Sequence, residues 1–466
     1  MENNRNKYLI KNTMIFTIGN LGSKLITFFL IPLYTTALTT SEYGVVDLLS
    51  TLGTVIAPVL TLNICESVMR FALDKNTDKN QITRIGTYLL LFGAIIGIVI
   101  FPFCYYFNNI STYSVLVYLY IISLAASQIY LCDLRGKELL LYYSIGNIIH
   151  TFLIAVFNIF FLIVLKKGIE GYLLAFILSN IITAFYAIVM GKSYRSFKKL
   201  KIQKQLFFNM IKYSVVLIPN SFMWWIMNSS DRLMVSSMVG IVANGIYAVS
   251  YKLPTLVSTL TGIFNQAWSY SAIRAEGTKD ESEYNNKIFL NLTVIVMLIG
   301  LCLLTFSKVF LRFYVADDYY TAWRYTPFLT IGFVYLTLAT FISTSYTVHK
   351  DSFGYLISGV FGAILNVILN FILIPFFDVY GAAIATCISY MSVFCFRIIH
   401  TQKYIKYNVR NKGFFGGSLF LFISSGLLFL DSPIGFILQI ILFLGAILVF
   451  SNIWLPIVKK FIQLKR

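Results

Sequence analysis

The chain has 466 residues, of which 58% are hydrophobic and 12% charged, with a mean hydropathy of +0.77 and a formal net charge of +18. A soluble globular domain carries about a quarter charged residues, so a water-facing protein is excluded. In lipid the backbone must pair internally, as helices or closed barrels, and uninterrupted apolar runs of about 20 residues or more suit helices rather than alternating barrel strands.

Fourteen apolar segments follow in chain order, at roughly 12–38, 43–69, 85–107, 113–132, 141–165, 169–190, 211–238, 244–271, 288–310, 325–348, 353–376, 380–400, 414–430 and 434–457. The first is too long for a secretory signal and no small-residue cleavage site follows it, so it is expected to stay as a helix. The connections alternate in charge. One set holds 29 Lys/Arg, including seven between Lys192 and Lys212, and the opposite set holds five: Lys166, Lys167, Lys308, Arg312 and Arg324. The positive-inside rule then puts both termini in the cytoplasm. The excess positive charge is thus a topology signal with some attraction to membrane lipids, and no nucleic-acid partner is expected.

The chain repeats itself. A shift of 204 places Tyr43, Val45, Leu49, Thr51, Ser67 and Arg70 on Tyr247, Val249, Leu253, Thr255, Ser271 and Arg274. A weaker echo relates Asn158 to Asn370 and Gly171 to Gly381. Equivalent helices are six apart, an even number, so the halves share one orientation. The expected fold class is an all-α integral membrane protein of about 14 transmembrane helices. Two parallel six-helix bundles, 1–200 and 201–405, would be related by pseudo-two-fold symmetry around a central crevice, with two extra helices in 406–466.

Ionisable groups in spanning helices are costly to insert and usually face a cavity or a partner. Asn20, Lys24 and Thr27 share one face of the first helix. Asn220, Trp224, Asn228 and Asp231 form a stripe on the seventh, and Lys252, Thr255, Thr259 and Gln266 one on the eighth. The alternative reading of such hydroxyl and amide stripes is helix–helix hydrogen bonding. Asp231 and Arg232 are adjacent and point about 100° apart, so Asp231 is expected to meet Lys24 or Lys252, and Arg232 to serve the cavity or to snorkel. Glu66 and Arg70, four apart, are expected to pair with each other or to form a phosphate-recognising cytoplasmic mouth. Pro32, Pro58, Pro219 and Pro254 are expected to kink their helices. The six cysteines, in or at the ends of apolar runs and without metal-ligand spacing, read as small apolar fillers. No GxxxxGK[ST] loop, HExxH or catalytic constellation occurs, so the chain is not expected to be an enzyme, and no metal or cofactor is expected.

Three stretches carry a resemblance: IGNLGSKLITFFLIPLYTTALTTSEYGVVDLLST, SSDRLMVSSMVGIVANGIYAVSYKLPTLVSTLTGIFNQAWS and VHKDSFGYLISGVFGAILNVILNFILIPFFDVYGAAIATCISY. Together they resemble the Wzx (RfbX-like) polysaccharide flippases, in the superfamily that also holds multidrug/toxin exporters and lipid II flippases. The resemblance implies a V-shaped cavity lined by cationic and polar groups, here Lys24, Asp231, Arg232, Lys252 and Arg70. It implies undecaprenyl-pyrophosphate-linked repeat units for O-antigen, capsule or exopolysaccharide, moved across the bacterial cytoplasmic (inner) membrane by alternating access. A polysaccharide polymerase and a chain-length regulator would be partners, and an H+ or Na+ gradient acting on Asp231 or Glu66 would drive it. The rivals are a multidrug exporter, a membrane-embedded polymerase, which would need a large outer loop, and an assembly scaffold.

Overall fold

A computed structural model describes residues 22–24, 26–74, 77–100, 112–198 and 202–463, and these are helical almost throughout, with no strand among them. In chain order the helices are α1 (residues 22–24 and 26–37), α2 (Thr40–Leu60), α3 (Ile64–Ala72), α4 (Lys79–Ile100), α5 (Ser114–Gly136), α6 (Leu140–Asn158, continued by a π-helical turn Ile159–Val164) and α7 (Gly168–Met190). Then come α8 (Lys204–Met238), α9 (Ile241–Ser250), α10 (Pro254–Ala275), α11 (Glu281–Tyr314), α12 (Thr326–Val348), α13 (Ser352–His400), α14 (Lys412–Leu427), α15 (Pro433–Val449) and α16 (Ser451–Gln463). Nine of the described helices are long and apolar enough to cross a membrane. Large apolar side chains such as Phe29, Phe313, Phe376 and Leu448 stand exposed, which in water would be an aggregation surface and in a bilayer meets acyl chains.

Local chemistry sets the helix ends. Thr39, three residues before Glu42, closes a reciprocal capping box at the start of α2, with the Thr39 N–H donating to Glu42 Oε2 at 2.9 Å. Asp351 caps α13 by accepting from Gly354 N–H (2.8 Å), and Asn411 caps α14 by accepting from Phe414 N–H (2.7 Å). Pro433 opens α15 at a position where its missing N–H is no loss. The proline expectations divide. Pro58 and Pro219 lie inside α2 and α8, and Pro32 within the helical run of α1, whereas Pro254 starts α10 after a break at Tyr251–Leu253. A second break, at Leu62 and Asn63 (both φ 52°), separates α2 from α3 where the sequence reads one continuous segment. Segments eleven and twelve appear as α13, one run broken only at Asp378 (φ 49°).

The chain divides into two compact units, residues 1–225 and 226–466. In the first, α5 packs on α7, α3 and α4, and α7 on α6. Gly93 of α4 lets α2 come close, because a Cβ there would lie 2.5 Å from the Leu60 carbonyl oxygen. Gly93→Ala is therefore expected to destabilise the protein by about 1–3 kcal/mol. Gly359→Ala, where a Cβ meets nothing within 4 Å, is expected to leave thermal unfolding in detergent unchanged. In the second unit α12 is the central helix, buried on nearly every face against α10, α11 and α13.

Two sequence expectations are corrected here. Cys65 of α3 and Cys132 of α5 are not separate apolar fillers but form a disulfide, with Cα atoms 5.8 Å apart; the α3–α5 contact brings together thiols 67 residues apart in sequence. Arg84 and Arg397, both counted among the 29 Lys/Arg of the basic connections, are buried. Arg84 Nε donates to the Ser196 carbonyl (2.7 Å), and Arg397 donates to Ser358 Oγ (3.0 Å) and to the Ala339 carbonyl (2.8 Å). The planar guanidinium fork presents several donors in fixed directions and so suits carbonyl and hydroxyl acceptors inside the bundle.

Candidate functional site

The polar centre of the second unit is built from three helices. At the end of α8 the chain turns at Gly240, whose φ of +133° is closed to L side chains, so that α9 starts at once and presents Tyr247 and Tyr251 to Asp231 of α8. Asp231 is 2% exposed. Its Oδ2 accepts from Tyr247 Oη (2.8 Å), from Tyr251 Oη, and from Thr386 Oγ1 of α13 (3.2 Å). Its Oδ1 accepts from the Arg232 backbone N–H (2.9 Å). One turn earlier on α8, Asn228 Oδ1 accepts from Tyr390 Oη (3.2 Å), and Tyr390 lies one turn beyond Thr386 on α13. From the other arm of α13, Asn366 Nδ2 donates to Thr386 Oγ1 (3.4 Å), and Asn370 Nδ2 donates to Asn366 Oδ1 (3.1 Å). Asn370 Oδ1 is buried and receives no donor. The result is a buried carboxylate ringed by hydroxyl and amide groups, a network that low dielectric strengthens when satisfied and penalises when broken.

This arrangement corrects one expectation. Within its own unit the carboxylate meets three hydroxyl donors where the sequence expected a lysine such as Lys252. The reason is geometric, since Lys252 falls in the break between α9 and α10 and is half-buried. The Arg232 guanidinium stacks over the Tyr251 ring, 5.0 Å from its centroid, a cation–π contact that holds the charge beside the network.

The remaining candidates are dispersed. Lys24 is exposed on α1, with Thr27 exposed one turn on and its hydroxyl turned back to the Ser23 carbonyl (2.9 Å). Thr255 and Thr259 likewise bond the carbonyls of Lys252 and Thr255 (both 2.9 Å), so these hydroxyls serve their own helix backbone. Asn20 lies outside the described residues, and Asn220 on α8 and Gln266 on α10 are placed only by their backbone. Glu66 and Arg70 are both exposed on α3, and they do not pair. Arg70 instead bonds Asp74 at 2.8 Å. The α2–α3 break makes Glu66 a first-turn residue, where the helix N-terminus favours a carboxylate, and leaves Arg70 in the last turn, within reach of Asp74 just past the end. An exposed pair of this kind contributes little to stability.

Sequence reasoning passed over several residues. Outside this network, in the first unit, Asp47 is an acid buried in the apolar run of α2 and should have stood out on that ground alone. Asn366 and Asn370, at i and i+4, were visible as a polar pair in an apolar helix. Tyr251, Thr386 and Tyr390 gave no signal, and Tyr247 only its repeat relation to Tyr43, because a tyrosine or threonine in a membrane helix gains meaning only from what it faces. Among the described residues no group of three or more His, Cys, Asp or Glu could hold a metal ion.

The long apolar helices, with polar groups buried among them, define a multi-pass membrane protein. A family model described as "Polysaccharide biosynthesis protein" matches residues 9–270, and the chain belongs to that family. An uncharacterized membrane protein of Methanocaldococcus jannaschii is 24% identical over 423 residues, 85% of this chain and 99% of the relative. The lipid II flippase MurJ in an inward closed conformation aligns with TM-score 0.58 at 16% identity, covering 96% of this chain and 99% of that one. An inward-facing multidrug resistance MATE transporter of the MOP superfamily aligns with TM-score 0.60 at 14% identity, covering 88% and 96%. A MOP superfamily transporter from Pyrococcus furiosus aligns with TM-score 0.56 at 14% identity, covering 89% and 95%. The fold is thus the all-helical fold of these transporters.

Proposed function

We propose that this protein is a flippase of the Wzx type. It carries undecaprenyl-pyrophosphate-linked oligosaccharide units from the cytoplasmic to the outer leaflet of the bacterial cytoplasmic membrane by alternating access. Both termini lie in the cytoplasm, and a polymerase and a chain-length regulator act downstream. The observation that carries this reading is Lys24, a cation left exposed on the first apolar helix of a chain whose family is polysaccharide biosynthesis. A charge in that position is tolerated where it faces water or an anionic substrate, and a pyrophosphate head group supplies the complementary charge. Lys252, half-buried at the α9–α10 break, is the second lysine assigned to the substrate path.

Coupling is assigned to Asp231. Its carboxylate is buried and bonded by neutral hydroxyls, so binding an H+ or Na+ changes both its charge and the need for the Tyr247, Tyr251 and Thr386 hydroxyls to point at it. Glu66, exposed on α3, has no such enclosure. The runner-up is an ion-coupled multidrug exporter, which the likeness to MATE transporters supports at the level of fold.

The cellular test uses a host lacking its own flippase and supplied with Lys24→Ala or Lys252→Ala. Both variants are expected to insert at normal levels, to lose surface polysaccharide and to accumulate lipid-linked units in the inner leaflet. Normal polysaccharide from both variants would remove these residues from the substrate path. Drug resistance conferred by the wild type without polysaccharide rescue would favour the exporter.

A further inference from the structure

A second polar cluster lies in the same unit, well away from the Asp231 network in sequence. It surrounds a cavity of about 560 Å³ bounded by the end of α11, the 3-10 turn Asp317–Arg324, and the turn between α14 and α15. The charge rule assigns this end to the outer face. Only five basic residues fall on that face, and three of them gather here. Lys308 and Arg324 line the cavity, and Arg312 lies over the ring of Tyr320, another wall residue, at 5.3 Å. Lys308 Nζ sits 3.9 Å from the Trp323 ring centroid, with the Arg324 guanidinium 5.9 Å from the same ring. Trp323 is itself buried, so it fixes the two cations and offers no open face on which a sugar could stack. The one acid in the wall, Asp431, bonds Lys308 at 2.7 Å and is otherwise exposed. Its carboxyl is held below the ordinary range, first by the Lys308 hydrogen bond and then by the Lys308 and Arg324 charges. The lining residues themselves, Lys308 and Arg324 against Asp431, leave one positive charge in excess, while Arg312, outside the lining, is paired with Asp317 at 3.8 Å. The rest of its wall mixes the polar Thr321, Ser432 and Gln439 with an apolar side of Val309, Leu430 and Phe436, and Phe313 and Ile434 stand exposed beside it.

We propose that this cavity binds the negatively charged, phosphate-bearing headgroup of a lipid in the outer leaflet, with Lys308 and Arg324 on the phosphate and the tail along Val309 and Phe436. The phosphate competes with Asp431 for Lys308, so the carboxylate limits affinity. Two lipids carry this chemistry: a resident acidic phospholipid, and a polyprenyl pyrophosphate lipid delivered to the outer leaflet. The inference stands apart from the transport reading, because it needs neither Asp231 nor Lys24.

Native mass spectrometry of the full chain, titrated with phosphatidylglycerol, phosphatidylcholine or undecaprenyl pyrophosphate, tests it. Phosphatidylglycerol or undecaprenyl pyrophosphate is expected to bind more tightly than phosphatidylcholine, and whichever displaces the other is the occupant. Lys308→Gln and Arg324→Gln should each weaken anionic-lipid binding roughly fivefold. Asp431→Asn should strengthen it, an opposite sign that a folding defect cannot mimic. Lys166→Gln, on the same face in the other unit, should change nothing. Equal binding of phosphatidylcholine, unchanged binding in Lys308→Gln and Arg324→Gln, or weaker binding in Asp431→Asn would overturn the proposal.

Discussion

Replacing Asp231 by Ala is expected to end transport and to destabilise the second unit by about 3–5 kcal/mol. Three hydroxyls lose their common acceptor at once, from Tyr247, Tyr251 and Thr386, and a buried donor without an acceptor costs about 1–3 kcal/mol. The two tyrosines are fully enclosed and packed edge to face, ring centroids 5.1 Å apart, so neither can swing out to find water. Asp231→Asn separates fold from function. The amide keeps one oxygen acceptor and the shape of the side chain while removing the charge, so thermal unfolding should lie close to wild type. Ion-driven transport should still fall to background. If Asp231→Asn transports as well as wild type under an H+ or Na+ gradient, the coupling role assigned to this carboxylate is wrong.

The second large effect is expected at Asp133 in the first unit. Its carboxylate is fully buried and accepts from Thr83 Oγ1, Lys137 Nζ and Ser193 Oγ, each at 2.6 Å. Lys137 also donates to the Gly191 carbonyl at 2.9 Å. The cluster ties α4 and α5 to the segment that follows α7. Removing one partner of a buried ion pair leaves the other charge uncompensated, so Asp133→Ala should cost about 3–5 kcal/mol. Replacing both members by apolar side chains removes that penalty, and the Asp133→Ala/Lys137→Met double variant should recover most of the loss. Unfolding midpoints of the two single variants and the double variant in nanodiscs measure this directly. Simple additivity of the two losses would contradict a coupled pair.

The helical framework was legible because its cause is local. Each apolar run has to satisfy its own backbone in lipid, so run lengths alone predict spans, and the described spans fall where the sequence puts them. The helix breaks were less visible. Leu62 and Asn63 turn left-handed shortly after Pro58 with no glycine at the turn itself, and that turn makes Glu66 a helix start, while Arg70, four residues on in the same helix, pairs with Asp74. Of the Asp231 network, the sequence singled out Asn228, Asp231 and the neighbouring Arg232, because polar and ionisable residues are rare in apolar helices. Their partners did not stand out, because Tyr247 and Thr386 reach Asp231 from 16 and 155 residues away, and no spacing rule within one helix records such a contact. The disulfide was missed for the same reason: Cys65 and Cys132 share no motif, and only the packing of α3 on α5 brings them together.

The measurement that tests the central claim most directly is made in proteoliposomes. The purified chain is reconstituted with undecaprenyl-pyrophosphate-linked oligosaccharide, and a membrane-impermeant lectin or glycosidase reads how much sugar lies on each side. Imposing an H+ or Na+ gradient should move the head groups across within minutes in wild-type vesicles and leave them in place with Lys24→Ala or Asp231→Asn. Sugar that stays on its original side in wild-type vesicles, while the same vesicles export an organic cation, would show that the protein is a drug exporter.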